Sequence, residues 1–156
     1  MIKAEHLRDY IVRPTIKRIG MWSPAAENIL IGTIYQESRG GYYLHQLGNG
    51  PALGVYQIEP ATHNDVWKNY LNYRDALAKK VKNLAAPGVL DEQLIVNLSY
   101  ATAIARIIYY RKPSALPAAN DVQALGEYWK EHYNTEQGKG TVEEFVKNFP
   151  VELLHD

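Results

Sequence analysis

The sequence predicts an all-α domain, with room for one small β-hairpin in a glycine-rich loop. Apolar residues recur at helical spacing through most of the chain, and segments that alternate apolar with polar residues are almost absent. Helix start and stop signals separate the periodic segments. The 156 residues have the length of one ordinary domain, and no repeat or low-complexity linker divides them. We therefore expect residues 1–156 to form a single domain.

The first two predicted helices lie in the N-terminal part of the chain. Residues 4–19 carry apolar side chains at helical spacing, and Pro14 should kink or divide this segment. Ser23 followed by Pro24 is a helix start signal, because a hydroxyl caps the first turn and proline fits the first helical position. This helix should end near the glycine pair 40–41, which favours a C-cap.

A glycine-rich loop at residues 39–55 separates these helices from the rest. Residues 55–58, which follow it, are short and could be extended. The next helix should begin at Pro60, and Asp91 is expected to cap one long helix that ends before Pro113. In order, the predicted helices after the loop cover residues 60–71, about 73–84, 91–112, about 121–133 and about 141–148.

Composition argues against several classes of function. Lysine and arginine total 17, as do aspartate and glutamate, so the formal net charge is +0 and no overall field gathers nucleic acid or anionic lipid. The absence of cysteine excludes disulfides, thiolate chemistry and four-cysteine zinc sites. No apolar run is long enough for stable membrane insertion. No metal or other cofactor is predicted, because the histidines lack ligand spacing and are expected at the surface or in loops: His6, His45, His63, His132 and His155.

A glutamate at the end of an apolar helix is the first candidate catalytic residue. Glu37 lies in the Tyr-Gln-Glu-Ser segment at residues 35–38, where the helix gives way to the glycine-rich loop. Partial burial and the negative end of the helix dipole both disfavour ionisation, so the pKa of Glu37 should rise. A carboxylic acid that stays protonated near neutral pH can give its proton to a leaving oxygen. Taken alone, however, a glutamate near a helix end is usually only solvated.

Two further segments carry candidate binding residues. In residues 54–62, Gly54 allows close approach of a backbone to a ligand, and the Gln57 amide suits sugar hydroxyls and acetamido groups. Near the C-terminus, Tyr133 can hydrogen-bond a buried carboxyl group and hold its orientation. Alone, these are more often a loop-to-helix junction and a packing residue. Aromatic residues that could stack on sugars, although such residues are more often core, are Trp22, Tyr42, Tyr43, Trp67 and Trp129.

Together, the order and spacing of these motifs resemble the lysozyme-like superfamily. The matching motifs are Glu-Ser at 37–38, Gly-x-x-Gln-x-x-Pro-x-Thr at 54–62 and Tyr-Asn at 133–134. The nearest branches are the soluble lytic transglycosylase domain and the goose-type lysozymes. The resemblance covers about residues 24–140, and residues 97–108 resemble the central buried helix of that family. It therefore implies a two-lobed domain built around such a helix.

The resemblance implies an enzyme that cleaves peptidoglycan at the β-1,4 bond between N-acetylmuramic acid and N-acetylglucosamine. In this reading, Glu37 protonates the glycosidic oxygen and the Tyr133 hydroxyl hydrogen-bonds this acid. Tyr56 stands where the family often has methionine and would add an apolar wall. Ser38 would order the helix end, and Tyr56 and Gln57 would line the sugar groove. Asn134 would fix the turn after Tyr133.

Two reaction types remain open, with the transglycosylase expected first. A lytic transglycosylase works with one carboxyl group and leaves 1,6-anhydromuramyl ends. An inverting hydrolase needs a second carboxylate about 6.5–9.5 Å from the acid to activate water. Glu59 is the tentative second carboxylate, because goose-type lysozymes tend to carry an aspartate there; alternatively it is a helix N-cap or first-turn acid. Their other acid is unmatched, since residues 44–54 contain no Asp or Glu.

The expected partner is the glycan strand of peptidoglycan, and no nucleic-acid partner is expected. Residues 1–20 contain no apolar segment typical of a secretory signal. By analogy alone, these features suggest a bacteriophage enzyme made in the host cytoplasm. It would reach the cell wall by holin-dependent release or be carried in the virion. The alternative from another class is a non-catalytic phage structural or wall-binding protein with the same fold.

Overall fold

The computed structural model describes residues 1–134 and 138–155. Thr135, which follows the Tyr-Asn motif, lies outside the described residues, as does the side chain of His155. The fold is 63% helix and has no strand in these ranges, which confirms the all-α prediction. Its α-helices are α1 (Ala4–His6), α2 (Arg13–Arg18), α3 (Pro24–Ser38), α4 (Pro60–Asn69), α5 (Asp75–Lys82), α6 (Gln93–Val96), α7 (Leu98–Tyr110), α8 (Val122–Trp129) and α9 (Val142–Asn148).

Wider and tighter turns connect some of these helices. A π-helical stretch, Leu7–Val12, joins α1 to α2, and a second one, Lys130–Asn134, continues α8. Pro14 lies in the first turn of α2, directly after the first π-helical stretch. The division predicted at Pro14 therefore takes the form of a widened turn before a proline-led helix. Short 3-10 turns occupy Leu47–Asn49, Leu71–Tyr73 and Val151–His155.

Helix α3 begins and ends as its sequence predicts. The Ser23 hydroxyl accepts a hydrogen bond from the Ala26 backbone N–H at 3.0 Å, and Pro24 is the first helical residue. At the other end, Arg39 is the C-cap with a left-handed backbone at φ 53°. The glycine pair 40–41 continues in this conformation, with φ values of 70° and 86°. Three successive left-handed residues therefore turn the chain away from the helix end.

The single long helix predicted from Asp91 is wrong, because the chain forms α6 and α7 with a break at Asn97. Asn97 has an extended backbone, and its side chain accepts from the Tyr100 backbone N–H at 2.9 Å. Its amide nitrogen donates to the Leu84 carbonyl at 2.7 Å. Asn97 is thus the N-cap of α7, and Asp91 instead pairs with His63.

Helix α7 is the central buried helix of the fold, as predicted. Residues 100–109 are all buried. The neighbouring α-helices that contact it are α2, α3, α4, α5 and α6. The two-lobed arrangement implied by the resemblance stays a prediction. No described helix has the length and apolar character needed to cross a membrane.

The glycine-rich loop contains isolated bridges in place of the small hairpin. Leu53 forms single antiparallel bridges with His45 and with Ile58. The Leu53 and Ile58 backbones exchange hydrogen bonds of 2.9 and 3.0 Å. Residues 54–57 form the turn between them, so the expectation of an extended 55–58 segment is wrong. Left-handed residues at Gly54 and Gln57 produce this tight turn.

Candidate active site

Glu37 lies in the last turn of α3, one residue before its end, with its side chain partly buried. Burial raises the pKa of Glu37 to about 7, although a hydrogen bond from Trp129 and the charge of Lys130 both act to lower it. The direction is the one that the sequence predicts, and burial is its main physical cause. At neutral pH this carboxyl group is therefore present in both protonation states.

The hydrogen-bond donor to the Glu37 carboxyl group is Trp129. The buried indole N–H donates to Glu37 Oε2 at 3.1 Å. The bond predicted from Tyr133 to this acid is not formed among the described residues. The Tyr133 hydroxyl instead donates to the Tyr56 carbonyl at 2.5 Å, and its ring stacks on Tyr109 with centroids 5.1 Å apart. Trp129, one turn earlier in the same helical segment, takes the role predicted for the tyrosine.

Two hydroxyl groups order the end of the helix that carries the acid. Ser38 Oγ donates to the Ile34 carbonyl at 3.0 Å and accepts from the Gly41 backbone N–H at 3.0 Å. The Tyr43 hydroxyl donates to the Glu37 carbonyl at 2.7 Å. Ser38 therefore orders the helix end as predicted. Because it is fully buried, it has no surface with which to contact a substrate.

The turn at residues 53–58 explains why Gly54 must be glycine. A Cβ at Gly54 would lie 1.8 Å from the Leu94 carbonyl oxygen. The glycine thus permits close packing against α6, which is a structural role and differs from the ligand approach that we expected. The Gln57 amide nitrogen donates to the Gly54 carbonyl at 2.9 Å. The amide oxygen of Gln57 has no partner among the described residues, so this half-buried side chain keeps an acceptor for a ligand.

Tyr56 is not a wall of an open groove, which corrects the role implied by the resemblance. Its side chain is fully buried, and its hydroxyl group shares a hydrogen bond of 2.8 Å with Thr102 Oγ1 on α7. The phenol therefore belongs to the core beneath the 53–58 turn. Its backbone carbonyl is the group that accepts from Tyr133.

Glu59 in the 54–62 motif and Asn134 in the Tyr-Asn motif differ in the contacts of their side chains. Glu59 is the N-cap residue of α4, but its exposed side chain makes no capping hydrogen bond. Asn134 is partly buried, and its side-chain oxygen accepts from Lys130 Nζ at 2.7 Å. Asn134 thus contributes to the order of its own segment, while the Glu59 carboxylate remains available to solvent.

His63 is buried, which corrects the expectation that it lies at the surface or in a loop. One ring nitrogen lies 2.7 Å from Asp91 Oδ1, and the other lies 2.6 Å from the Tyr100 hydroxyl. The Trp67 indole N–H donates to the same hydroxyl at 2.9 Å. These side chains link α4, α7 and the turn before α6. The sequence signal missed was the position of His63 on the inner face of α4, beside Val66.

Comparisons with protein-family models, with curated proteins and with solved structures gave no match. The chemical capacity of the site is therefore inferred from its own residues. No group of three or more histidine, aspartate or glutamate side chains is placed to hold a metal ion in the part of the chain that the structure describes. What the described geometry provides is one carboxyl group with a pKa of about 7 and a neutral donor that fixes one of its oxygens. Such a group can act as a general acid and then as a general base.

Proposed function

We propose that this chain is a peptidoglycan-cleaving glycosidase of the lytic transglycosylase type, with Glu37 as its acid and base. The observation that carries the proposal is the partly buried carboxyl group at the end of α3, whose pKa is about 7. The Glu-Ser, Gly-x-x-Gln-x-x-Pro-x-Thr and Tyr-Asn motifs support it through their resemblance to the lysozyme-like superfamily. The partner is the glycan strand of peptidoglycan.

In the first step, the protonated Glu37 gives its proton to the oxygen that links N-acetylmuramic acid to N-acetylglucosamine. The bond from C1 of the muramic sugar to this oxygen breaks, and the acetamido oxygen of the same sugar stabilises the positive charge at C1. A pKa near 7 suits this step, because the acid is still protonated in a large fraction of molecules at neutral pH.

In the second step, the Glu37 carboxylate takes the proton from the C6 hydroxyl of the same muramic sugar. Oxygen O6 then bonds to C1 and closes a 1,6-anhydro ring, which restores the protonated acid. No water is consumed, so one carboxyl group is sufficient for the whole cycle. The Trp129 N–H donates to one carboxyl oxygen, and the other oxygen is the one that we assign to the proton transfers.

A hydrolytic muramidase is the second candidate, and one observation favours it. The Glu59 carboxylate is exposed and is not used to cap α4, so it is free to activate a water molecule. It follows Gln57, the candidate sugar-binding amide, by only two residues. In a hydrolase of this kind, loss of the Glu59 carboxylate would abolish cleavage.

The test is digestion of purified peptidoglycan by the wild type, Glu37→Gln and Glu59→Gln, with product masses read by mass spectrometry. The proposal expects anhydromuramyl ends that are lost with Glu37→Gln and retained with Glu59→Gln. Reducing muramyl ends that are lost in both variants would establish the hydrolase instead. If the wild type binds several wall preparations but releases nothing, the protein is a wall-binding or structural component and the enzymatic proposal fails.

A further inference from the structure

Lys130 directs its ammonium group into its own chain segment. Its Nζ donates to Asn134 Oδ1 at 2.7 Å, to the Gly138 carbonyl at 3.0 Å and to the Gly140 carbonyl at 2.7 Å. An ammonium group has three N–H donors, so these three acceptors match its full capacity. Its partners are all neutral, and the residues that they hold together follow α8 directly. Lys130 thus fixes the backbone of the residues that lead into α9.

The backbone fixed in this way lies against the indole ring that contacts the acid. A Cβ built on Gly140 would lie 2.6 Å from Trp129 Cη2 and 3.0 Å from Gln36 Nε2. Gly140 is therefore packed between the Trp129 ring and the side chain that precedes Glu37. No larger residue fits here unless the ring or Gln36 moves.

The indole ring is also packed on another side and has one polar contact. It stacks on Phe145 of α9, with ring centroids 5.5 Å apart. Its N–H donates to Glu37 Oε2 at 3.1 Å. Phe145 and Gly140 thus restrict the ring, and the ring fixes one oxygen of the carboxyl group. A continuous set of contacts runs from the Lys130 ammonium group through Gly140 and Trp129 to Glu37.

We propose that Lys130 is a positioning residue, which holds the 138–140 backbone against Trp129 so that the indole N–H stays directed at the Glu37 carboxyl group. Its catalytic consequence rests on the proposed function, but the contacts themselves do not. The NMR resonance of the Trp129 indole N–H therefore tests the proposal without any measurement of activity. The chain has three tryptophans, and the other two indole N–H groups donate to Glu27 and Tyr100.

The charged and titratable groups that face Glu37 come from several elements. Lys130, in the stretch after α8, lowers the pKa of Glu37. Tyr43 from the loop after α3, Tyr109 from α7 and Tyr133 all have pKa values raised in part by the Glu37 charge. Because these three phenols are neutral near pH 7, the groups of the described residues that change the Glu37 titration in that range are Lys130 and the Trp129 N–H.

The experiment follows the Trp129 indole N–H by NMR during a pH titration. In the wild type its resonance should shift with a midpoint near the Glu37 pKa of about 7, and Glu37→Gln should abolish that shift. Lys130→Met keeps the apolar stem and removes the ammonium group. It should raise the midpoint and reduce the size of the shift. Lys139→Met makes the same change at an exposed neighbour and should leave both unchanged.

Gly140→Ala separates positioning from a simple effect of charge. The added Cβ would displace the indole ring, while the Lys130 charge is kept. Positioning requires this variant also to raise the midpoint and to reduce the shift. The proposal is overturned if Lys130→Met behaves like Lys139→Met. It is equally overturned if Lys130→Met raises the midpoint while Gly140→Ala has no effect, because Lys130 would then act only through its charge.

Two further variants keep the test decisive. If Lys130→Met does not fold, Asn134→Ala removes one acceptor of the same ammonium group and should change the titration in the same direction, by a smaller amount; an unchanged titration overturns the proposal. Lys130→Arg, which keeps a cation with several donors, should restore most of the wild-type titration.

Where peptidoglycan cleavage is measurable, Lys130→Met should lower kcat more than it changes KM. Absence of cleavage with an intact Trp129 titration would count against the proposed function alone.

Discussion

The indole N–H of Trp129 donates a hydrogen bond of 3.1 Å to Glu37 Oε2, across 92 residues of sequence. The donor is neutral, and this explains how the carboxyl group can be both held in place and kept weakly acidic. A cationic donor at this distance would stabilise the carboxylate and bring the pKa down. With this neutral donor, burial remains a larger effect than the hydrogen bond and the Lys130 charge, and the pKa of Glu37 stays at about 7.

The first prediction concerns stability as a function of pH. The pKa of Glu37 is about 7 in the folded chain against 4.5 as its ordinary value. Between these values the folded state binds the proton that the unfolded state has released, so this group makes stability fall as pH rises from 4.5 to about 7. The glutamine side chain in Glu37→Gln cannot ionise. This variant should therefore be more stable than the wild type at about pH 8, by up to about 3 kcal/mol, and similar at about pH 4.

Urea unfolding at these two pH values measures the difference. Glu59→Gln is the matched control, because it makes the same change at an exposed side chain. If the stability difference between Glu37→Gln and the wild type were the same at both pH values, the pKa of Glu37 would not be raised in the folded chain.

The second prediction is the pH dependence of cleavage. In the proposed reaction Glu37 must be protonated when substrate binds, so kcat/KM should fall about tenfold per pH unit well above the Glu37 pKa. Trp129→Phe removes the N–H that lowers this pKa, so the alkaline limb should move to higher pH. Rates of peptidoglycan solubilisation across the pH range give the profiles. Trp67→Phe, whose lost N–H contacts Tyr100 instead, should keep the wild-type limb; a limb that moved equally in both variants would contradict the assignment.

The third prediction concerns Gly54. Alanine there would place its Cβ 1.8 Å from the Leu94 carbonyl, in a left-handed backbone with φ +76°. We expect a loss of about 3–5 kcal/mol in the free energy of unfolding, because backbone atoms must move to relieve the clash and alanine is strained in a left-handed conformation. Gly48→Ala is the control, since φ is +79° but its Cβ meets open space. It should cost only about 1–2 kcal/mol, and equal losses in chemical denaturation would refute the proposed clash.

The fourth prediction concerns the buried contacts of His63. Tyr100→Phe removes the hydroxyl group that contacts both the His63 ring and the Trp67 N–H. Two polar groups would lose their partner, so unfolding should become easier by about 1–3 kcal/mol. Tyr73→Phe makes the same change on a side chain that is 77% exposed and should leave the melting temperature almost unchanged. A Tyr100→Phe protein as stable as the wild type would show that the network contributes nothing.

Local signals predicted much of the fold. The Ser23 hydroxyl and Pro24 begin α3 because both act within the first turn. The break at Asn97 was not predicted, since apolar residues continue at helical spacing on both sides of it. What interrupts the helix is the cap to Tyr100 together with a contact to Leu84, 13 residues away. Contacts of that kind are set by tertiary packing, which a periodic pattern does not contain.

The candidate site was likewise predicted in part from local signals and in part depends on tertiary contacts. The position of Glu37 at a helix end and the rise of its pKa follow from burial, which the apolar helix before it already indicates. The choice between Trp129 and Tyr133 as its partner could not be made from sequence, because both are aromatic donors one helical turn apart. The Tyr133 ring stacks on Tyr109 and its hydroxyl group donates to the Tyr56 carbonyl, so this hydroxyl is already used. The Trp129 ring stacks on Phe145. Tyr56 was misplaced for a similar reason, since its partner Thr102 lies on a distant helix.

The most direct test of the central proposal is the mass of the muramyl ends released from purified peptidoglycan. We predict ends one water lighter than reducing ends, produced by the wild type and absent with Glu37→Gln, while Glu59→Gln still produces them. Reducing ends from the wild type, or anhydro ends that persist when Glu37 is replaced, would contradict the assignment of Glu37 as the acid and base of a lytic transglycosylase.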